Sequence, residues 1–228
     1  MGCRIAGVIV NHVCYADDIC IISNSIYGLR KLLQICIDFA HSHNLEFNAE
    51  KTVLQCYLTP ELSHLLPEIV VPFGSSLLRH TEYVKYLGYT MQCRFKYNDM
   101  TITDEKEISV RCGQLYKRAY MIRSYFLRCS ETVKARLCQA YLSAIYCCSL
   151  WKPLSAEFDK IRVAYNNAIR IVYGESRRSS ATATQTANNL RTFEDILETS
   201  VDSLKARLHE SDNPILVTIL CSSTLTYI

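Results

Sequence analysis

No stretch of this 228-residue chain approaches the roughly 18 consecutive apolar residues that a membrane-spanning helix requires, so no membrane association is expected. Met1–Val10 is too short for a secretory leader and lacks both a charged leader and a cleavage-site pattern, so secretion is not expected. The Met1-Gly2-Cys3 start carries Ala6 where an acylation signal wants Ser or Thr, which argues against a myristoyl anchor. No Cys-x-x-Cys pair occurs among the 12 cysteines, excluding a zinc ribbon or thioredoxin-like motif. His41-x-His43 has no cysteine pair at finger spacing. Net charge is only +3, so any electrostatic preference for a partner must come from how the charges are distributed.

What is present is a globular composition. Hydrophobic residues make up 49% of the chain, which excludes wholesale disorder, and the length suits one or two domains with a buried core. Cys14, Cys20, Cys36 and Cys138 sit among apolar neighbours, where a free thiol behaves as a small hydrophobe. Reduced core thiols are therefore expected rather than disulfides, in an intracellular setting, nucleus or cytoplasm.

The most informative segment is Tyr15-Ala16-Asp17-Asp18. The apolar run Ile5–Cys14 leads into it and Ile19–Ile22 leads out, which predicts a β-hairpin between buried strands with two carboxylates at its tip. Adjacent carboxylates repel one another unless a cation lies between them. Mg²⁺ takes one or two carboxylates together with substrate phosphates. Asp is also a common turn former, and on the tetrapeptide alone both readings stand.

Beyond the hairpin, Ser23-Asn24-Ser25 offers capping side chains for a predicted helix from about Ile26 to His43 whose apolar face is Leu29, Leu32, Leu33, Cys36 and Phe39–Ala40. Its role would be to lie on the back of the sheet. His41 and His43 suit a helix C-terminus better than a metal. Leu45–Phe47 and Thr52–Leu58 read as strands about an Asn48–Lys51 turn, and Pro60–Pro72 as an exposed connection or weak helix. Leu77–Leu78 and Tyr83–Thr90 read as short strands, with Gly88 permitting a tight turn.

From Asp104 onward the periodicity becomes helical. Glu105–Phe126, Glu131–Cys148 and Phe158–Val172 each carry apolar residues at three- and four-residue steps, the last closed by Gly174. They predict a small bundle. Ser179–Asn189, rich in Ser, Thr and Ala, reads as a linker or frayed segment, followed by a helix over roughly Phe193–Leu208 and an apolar, β-prone Pro214–Ile228.

The order of these features resembles the reverse transcriptases of non-LTR retrotransposons. Asn11–Asp18, then Phe47-Asn48-Ala49-Glu50-Lys51, then Tyr86-Leu87-Gly88 carry the resemblance most specifically. It continues through Leu142–Trp151, Thr192–Leu197 and Ser211–Ile215. It implies an α+β architecture: a partial polymerase palm of short antiparallel strands plus a helix (1–95), an all-helical thumb-like region (96–175), and a linker with a C-terminal helical extension (176–228). It further implies that Asp17 and Asp18 are catalytic, with Mg²⁺ or Mn²⁺ held at Asp17 and Asp18, and that Lys51 assists the leaving pyrophosphate. Read by composition alone, Lys51 is an ordinary surface lysine. Tyr86, Leu87 and Gly88 would hold the primer, and the partners would be an RNA template and a DNA primer.

A departure from the family stands at the start. A palm of this type needs a further Asp from an earlier strand, yet no Asp or Glu lies among the 16 residues before Asp17. Two-metal catalysis requires ligands on both sides of ions about 3.5–4 Å apart. The expectation is a C-terminal fragment of an RNA-directed DNA polymerase that is inactive alone, unless a partner chain supplies the missing palm and fingers in trans. The alternatives are a non-catalytic nucleic-acid-binding remnant and a functionless decayed transposon product.

Between Arg111 and Arg136 the chain carries Arg111, Lys117, Arg118, Arg123, Arg128, Lys134 and Arg136 against a single acid, Glu131, with Tyr116, Tyr120, Tyr125 and Phe126 interleaved. Basic side chains track phosphates and aromatic rings stack on unpaired bases. A solvated helix face is the other reading, and the resemblance favours nucleic-acid contact.

Overall fold

The computed structural model describes residues 1–5, 7–96, 99–151 and 156–221. It is a mixed α+β chain of short antiparallel strand pairs followed by helices. Two compact units form: Met1–Val84 with Cys93–Thr101 and Leu208–Ile228, and Lys85–Gln92 with Ile102–Arg207.

In the first unit, β1 (Cys3–Ile5) pairs with β2 (Val8–Val10), and β3 (His12–Tyr15) pairs with β4 (Asp18–Ile21), Tyr15 standing opposite Asp18. The helix α1 spans Ile26–Ser42, and the Ser25 hydroxyl accepts from the Gly28 amide at 3.1 Å. His43 ends it, its ring stacked on Phe39 with centroids 4.0 Å apart. Phe39 is exposed rather than part of the buried face. Leu33 joins Leu54, Ile69, Val71, Phe73 and Leu78 in a small core, with Leu29, Ile37 and Phe47 packed at its edge. β5 (Val70–Phe73) and β6 (Ser76–Arg79) supply the middle of that core, and a 3₁₀ segment, Pro60–Glu68, precedes them.

The expected strands at Leu45–Phe47 and Thr52–Leu58 do not form a hairpin. Asn48 closes a turn, its side chain accepting from the Lys51 amide at 3.0 Å and its carbonyl from the Thr52 hydroxyl at 2.8 Å. The chain beyond is tied instead to the segment at His80. Leu54 makes one parallel bridge with His80, the Thr81 amide donates to Leu54 O at 2.8 Å, and the Cys56 amide donates to His80 Nδ1 at 3.0 Å.

β7 (Tyr83–Tyr86), β8 (Tyr89–Lys96) and β9 (Asp99–Thr103) form a three-stranded sheet in that order. In the second unit α2 spans Glu105–Phe126, the range its periodicity predicts. Its Ile108, Leu115, Ala119 and Ile122 are buried with Ile161, Ala164, Tyr165, Ala168, Ile169 and Val172 of α4 (Ala156–Tyr173). At about 1.5–3 kcal/mol for each fully buried aliphatic side chain, this pair of helices is the main apolar store of the unit. Phe193, at the start of α6 (Phe193–His209), closes it edge-on to Phe158 at 5.4 Å.

Three sequence expectations are corrected here. The helix expected over Glu131–Cys148 runs as α3 (Glu131–Leu137) and one π turn, Cys138–Leu142, then stops, because the backbone must turn sharply where Cys147 takes φ +59°. Ser179–Asn189 is not a linker. It holds α5 (Ala181–Ala187), capped by Ser180, with Ala181, Thr184 and Gln185 buried. Polar burial is satisfied there, since Thr184 donates to the Glu175 carboxylate at 2.7 Å and Gln185 to Asn166 at 3.3 Å. Pro214–Cys221 is a helix, α7, rather than β-prone chain, with Asn213 Oδ1 accepting from the Ile215 amide at 2.9 Å at its start. Pro at the first helical position behind an Asn cap is a strong helix start. Residues 222–228 lie outside the described residues.

All 12 cysteines are free thiols. Burial pushes Cys138 up to about 12 and, with help from Cys56 and Glu82, pushes Cys93 up to about 11. Such thiols are inert at neutral pH. Cys20 and Cys36 are half-buried, while Cys14, expected in a core, lies on an exposed strand.

Candidate functional site

The acidic hairpin forms as its sequence predicts, but its surroundings differ. Ala16 and Asp17 are the two loop residues between Tyr15 and Asp18. Ala16 carries φ +49°, a conformation that costs a non-glycine residue about 1–2 kcal/mol. β3 is exposed along its whole length, as are Asp18 and Ile19 of β4. The expectation of buried flanking strands is therefore wrong. The sheet they form has only two strands, too few to cover either face.

Asp17 and Asp18 are both solvent-exposed. Among the described residues no group of three or more His, Cys, Asp or Glu side chains is placed to hold a metal ion. The pair offers the hard oxygen donors that Mg²⁺ or Mn²⁺ prefers, but a two-metal centre needs carboxylates on both sides of the ions. The donor set of the described residues does not fit such a centre by itself. Lys51 stands exposed on the Asn48 turn in the same unit, and among the described residues no ion pair joins it to either aspartate.

The second unit holds the Tyr86-Leu87-Gly88 segment in a more elaborate setting. Leu87 and Gly88 join β7 to β8 as a two-residue turn, with φ +48° and +79°. Positive φ at both central residues matches the right-handed strand twist. The Leu87 carbonyl accepts from the Tyr146 hydroxyl at 2.7 Å, and the Gly88 carbonyl from Arg111 Nη2 at 2.7 Å. Glu107, wholly buried, takes Arg111 Nε at 2.5 Å and the Thr90 amide at 2.9 Å. The Arg111 guanidinium lies over the Tyr146 ring, 5.2 Å from its centroid. A buried carboxylate is tolerable only with such pairing.

Sequence reasoning missed Glu107 and Tyr146. The acid-to-base spacing of Glu107 and Arg111 along a helix was a readable signal, though its burial was not. Tyr146 stood only as one residue of the Leu142–Trp151 segment, and it reaches Leu87 where the helix ahead of it has stopped short.

The seven basic residues divide by environment. Arg111 is engaged as described. Arg118 Nη1 donates to Tyr141 O at 2.9 Å and to Ala144 O at 3.3 Å, and Arg123 Nη1 donates to Ile171 O at 3.0 Å. Lys134 pairs with Glu131 at 2.9 Å. Lys117, Arg128 and Arg136 are exposed.

Lys117, Tyr120, Met121, Ser124 and Tyr125 recur at helical steps on the side of α2 opposite its buried residues. Tyr120 is 58% exposed and Tyr125 80%. Within that stripe Gly113 would place a Cβ in open space. Tyr116, by contrast, is half-buried and accepts from Asn167 Nδ2 at 3.2 Å.

Residues 4–91 match the family model described as "Reverse transcriptase (RNA-dependent DNA polymerase)". That stretch holds Asp17, Asp18, Lys51 and the Leu87–Gly88 turn, and it ends before α2. Comparison with curated proteins and with solved structures found no match. No helix among the described residues is long and apolar enough to cross a membrane.

Proposed function

We propose that this chain is part of the reverse transcriptase of a non-LTR retrotransposon, with residues 1–95 as partial palm, 96–175 as a thumb-like grip and 176–228 as a C-terminal extension. The observation that carries the reading is the two-residue hairpin presenting Asp17 and Asp18, inside the stretch that matches the reverse transcriptase model. Asp17 and Asp18 offer the carboxylate oxygens that Mg²⁺ or Mn²⁺ takes. Lys51 supplies a cation suited to charge developing on a leaving pyrophosphate. Tyr86, Leu87 and Gly88 hold the primer end. A two-metal centre takes a further carboxylate, and none joins the pair among the described residues. We assign the missing ligand to the rest of the palm, carried by the same polypeptide or by a partner chain. Nuclear or cytoplasmic residence follows from a nucleic-acid substrate.

One observation favours a second reading, a non-catalytic nucleic-acid-binding remnant. The exposed stripe of Lys117, Tyr120 and Tyr125 on α2 joins cations for phosphates with rings for bases. Contacts of this kind grip a template–primer without reading its sequence.

Mg²⁺-dependent primer extension on an RNA template, with and without Asp17→Asn, tests the first reading. The purified chain is expected to give no extension. Extension that Asp17→Asn abolishes would overturn the claim of incompleteness while supporting the catalytic role of Asp17. In parallel, Lys117→Ala with Arg128→Ala should lower affinity for duplex and single strand alike and reduce the salt slope by about 1 for each phosphate no longer neutralised. Unchanged affinity would sink the thumb-like assignment.

A further inference from the structure

The Leu87–Gly88 turn is restrained by more than its own strands. Both of its carbonyls are capped by side chains far along the chain, Tyr146 at a separation of 59 residues and Arg111 at 23. The amide of Thr90, just beyond the turn, is fixed by Glu107. Arg111 and Tyr146 stack on each other, so the two caps hold one another in place. Leu87 itself sits at φ +48°, a conformation that costs an L side chain about 1–2 kcal/mol. The turn stays open to solvent, with Gly88 exposed and Leu87 38% exposed.

We propose that Arg111 and Tyr146 are positioning residues that make this turn receptive to a polyanionic strand end, the recessed 3′ end of a nucleic-acid duplex. The inference rests on the primer-holding reading of Tyr86, Leu87 and Gly88. Two bare carbonyl oxygens at a turn tip are the negative ends of amide dipoles and repel approaching phosphates. Here an O–H and a guanidinium N–H donate into them and cancel that partial charge. Glu107 in turn neutralises Arg111, which therefore acts as a fixed hydrogen-bond cap rather than as a free cation competing for phosphate. The early end of the helix before Tyr146 is what brings the hydroxyl to Leu87, and π turns of this kind recur at functional sites.

The test compares the full chain with its Tyr146→Phe variant, which keeps the ring beneath Arg111 and removes only the hydroxyl. Two quantities are measured: hydrogen exchange at the Leu87, Gly88 and Tyr89 amides, and affinity for two duplexes of equal length at one ionic strength, one blunt and one with a recessed 3′ end. The wild type should prefer the recessed duplex. Tyr146→Phe should speed exchange at the turn and reduce that preference about fivefold, the scale of one neutral hydrogen bond, with blunt-duplex affinity unchanged. A purely structural tyrosine would shift both duplexes together. Unchanged exchange at the turn overturns the inference, and so does faster exchange with the preference intact. If the wild type does not distinguish the two duplexes, the primer-holding reading fails and the polyanion claim falls with it. The exchange measurement then still decides whether Tyr146 positions the turn.

Discussion

Two turns of the same length, Ala16–Asp17 and Leu87–Gly88, both place a non-glycine residue in the left-handed region, Ala16 at φ +49° and Leu87 at +48°. Their support is opposite. Around Ala16–Asp17 the strands are exposed, and among the described residues no side chain from elsewhere binds the turn. Around Leu87–Gly88 a buried acid, a guanidinium and a phenol hold two carbonyls and an amide. The local sequence suffices to make a hairpin in both places. Whether the hairpin is rigid is decided by residues far away in the chain.

The largest break in this comparison comes from Arg111→Ala, which strands the Glu107 carboxylate in a buried site. Losing one partner of a buried pair costs about 3–5 kcal/mol, so urea melts followed at Trp151 should shift strongly or lose cooperativity. An unchanged midpoint would mean that Glu107 reaches water. Next, the same kind of deletion can be made in the two units. Ile161→Ala, at a fully buried site, should cost about 2–5 kcal/mol. Val13→Ala, on the exposed strand, should stay within about 0.5 kcal/mol. Equal effects by calorimetry would show that β3 is covered in solution.

The two turns can also be exchanged in character. Gly88→Ala meets φ +79°, with the added Cβ in ordinary contact with the Tyr146 ring at 3.5 Å. It should therefore cost about 1 kcal/mol, for backbone reasons alone. Ala16→Gly relieves the same strain but loosens the unfolded chain, and its thermal midpoint should move less than that of Gly88→Ala.

The smallest effect is pH dependence in the first unit. Desolvation, opposed in part by Glu82, holds His80 below its ordinary value, and its Nδ1 must stay unprotonated to accept the Cys56 amide. The stabilisation is complete above the unfolded value near 6.5 and is lost progressively as pH falls from there through the folded value. The melting midpoint should drop between pH 7 and pH 5, and His80→Asn should flatten the drop.

How much of this could be read from residues alone varies along the chain for physical reasons. The acidic hairpin, α1 and α2 announce themselves through local signals: a turn between β-branched runs, a Ser cap, an unbroken apolar period. The helix after Ser130 carries the same period through Cys148 but ends early, at a backbone turn with Cys147 at φ +59° that the apolar period does not show. α5 is hidden by composition, its Thr184 and Gln185 looking like linker residues until Glu175 and Asn166 are seen to satisfy them. At the site, the two aspartates and the Tyr-Leu-Gly turn were legible as motifs. Their environments were not: the exposure of the flanking strands depends on what fails to pair with them, and the clamp on the turn depends on separations of 23 and 59 residues.

The division of the chain into units also sets an order of events during synthesis. The second unit is nearly continuous, and its core is complete once Ile196 has been made. The first unit gathers the opening residues together with the segment from Leu208 onward. At roughly 5–20 residues per second, its exposed hairpins wait on the ribosome while the helical unit closes. The packing of the first unit is therefore completed only after the helical unit has closed.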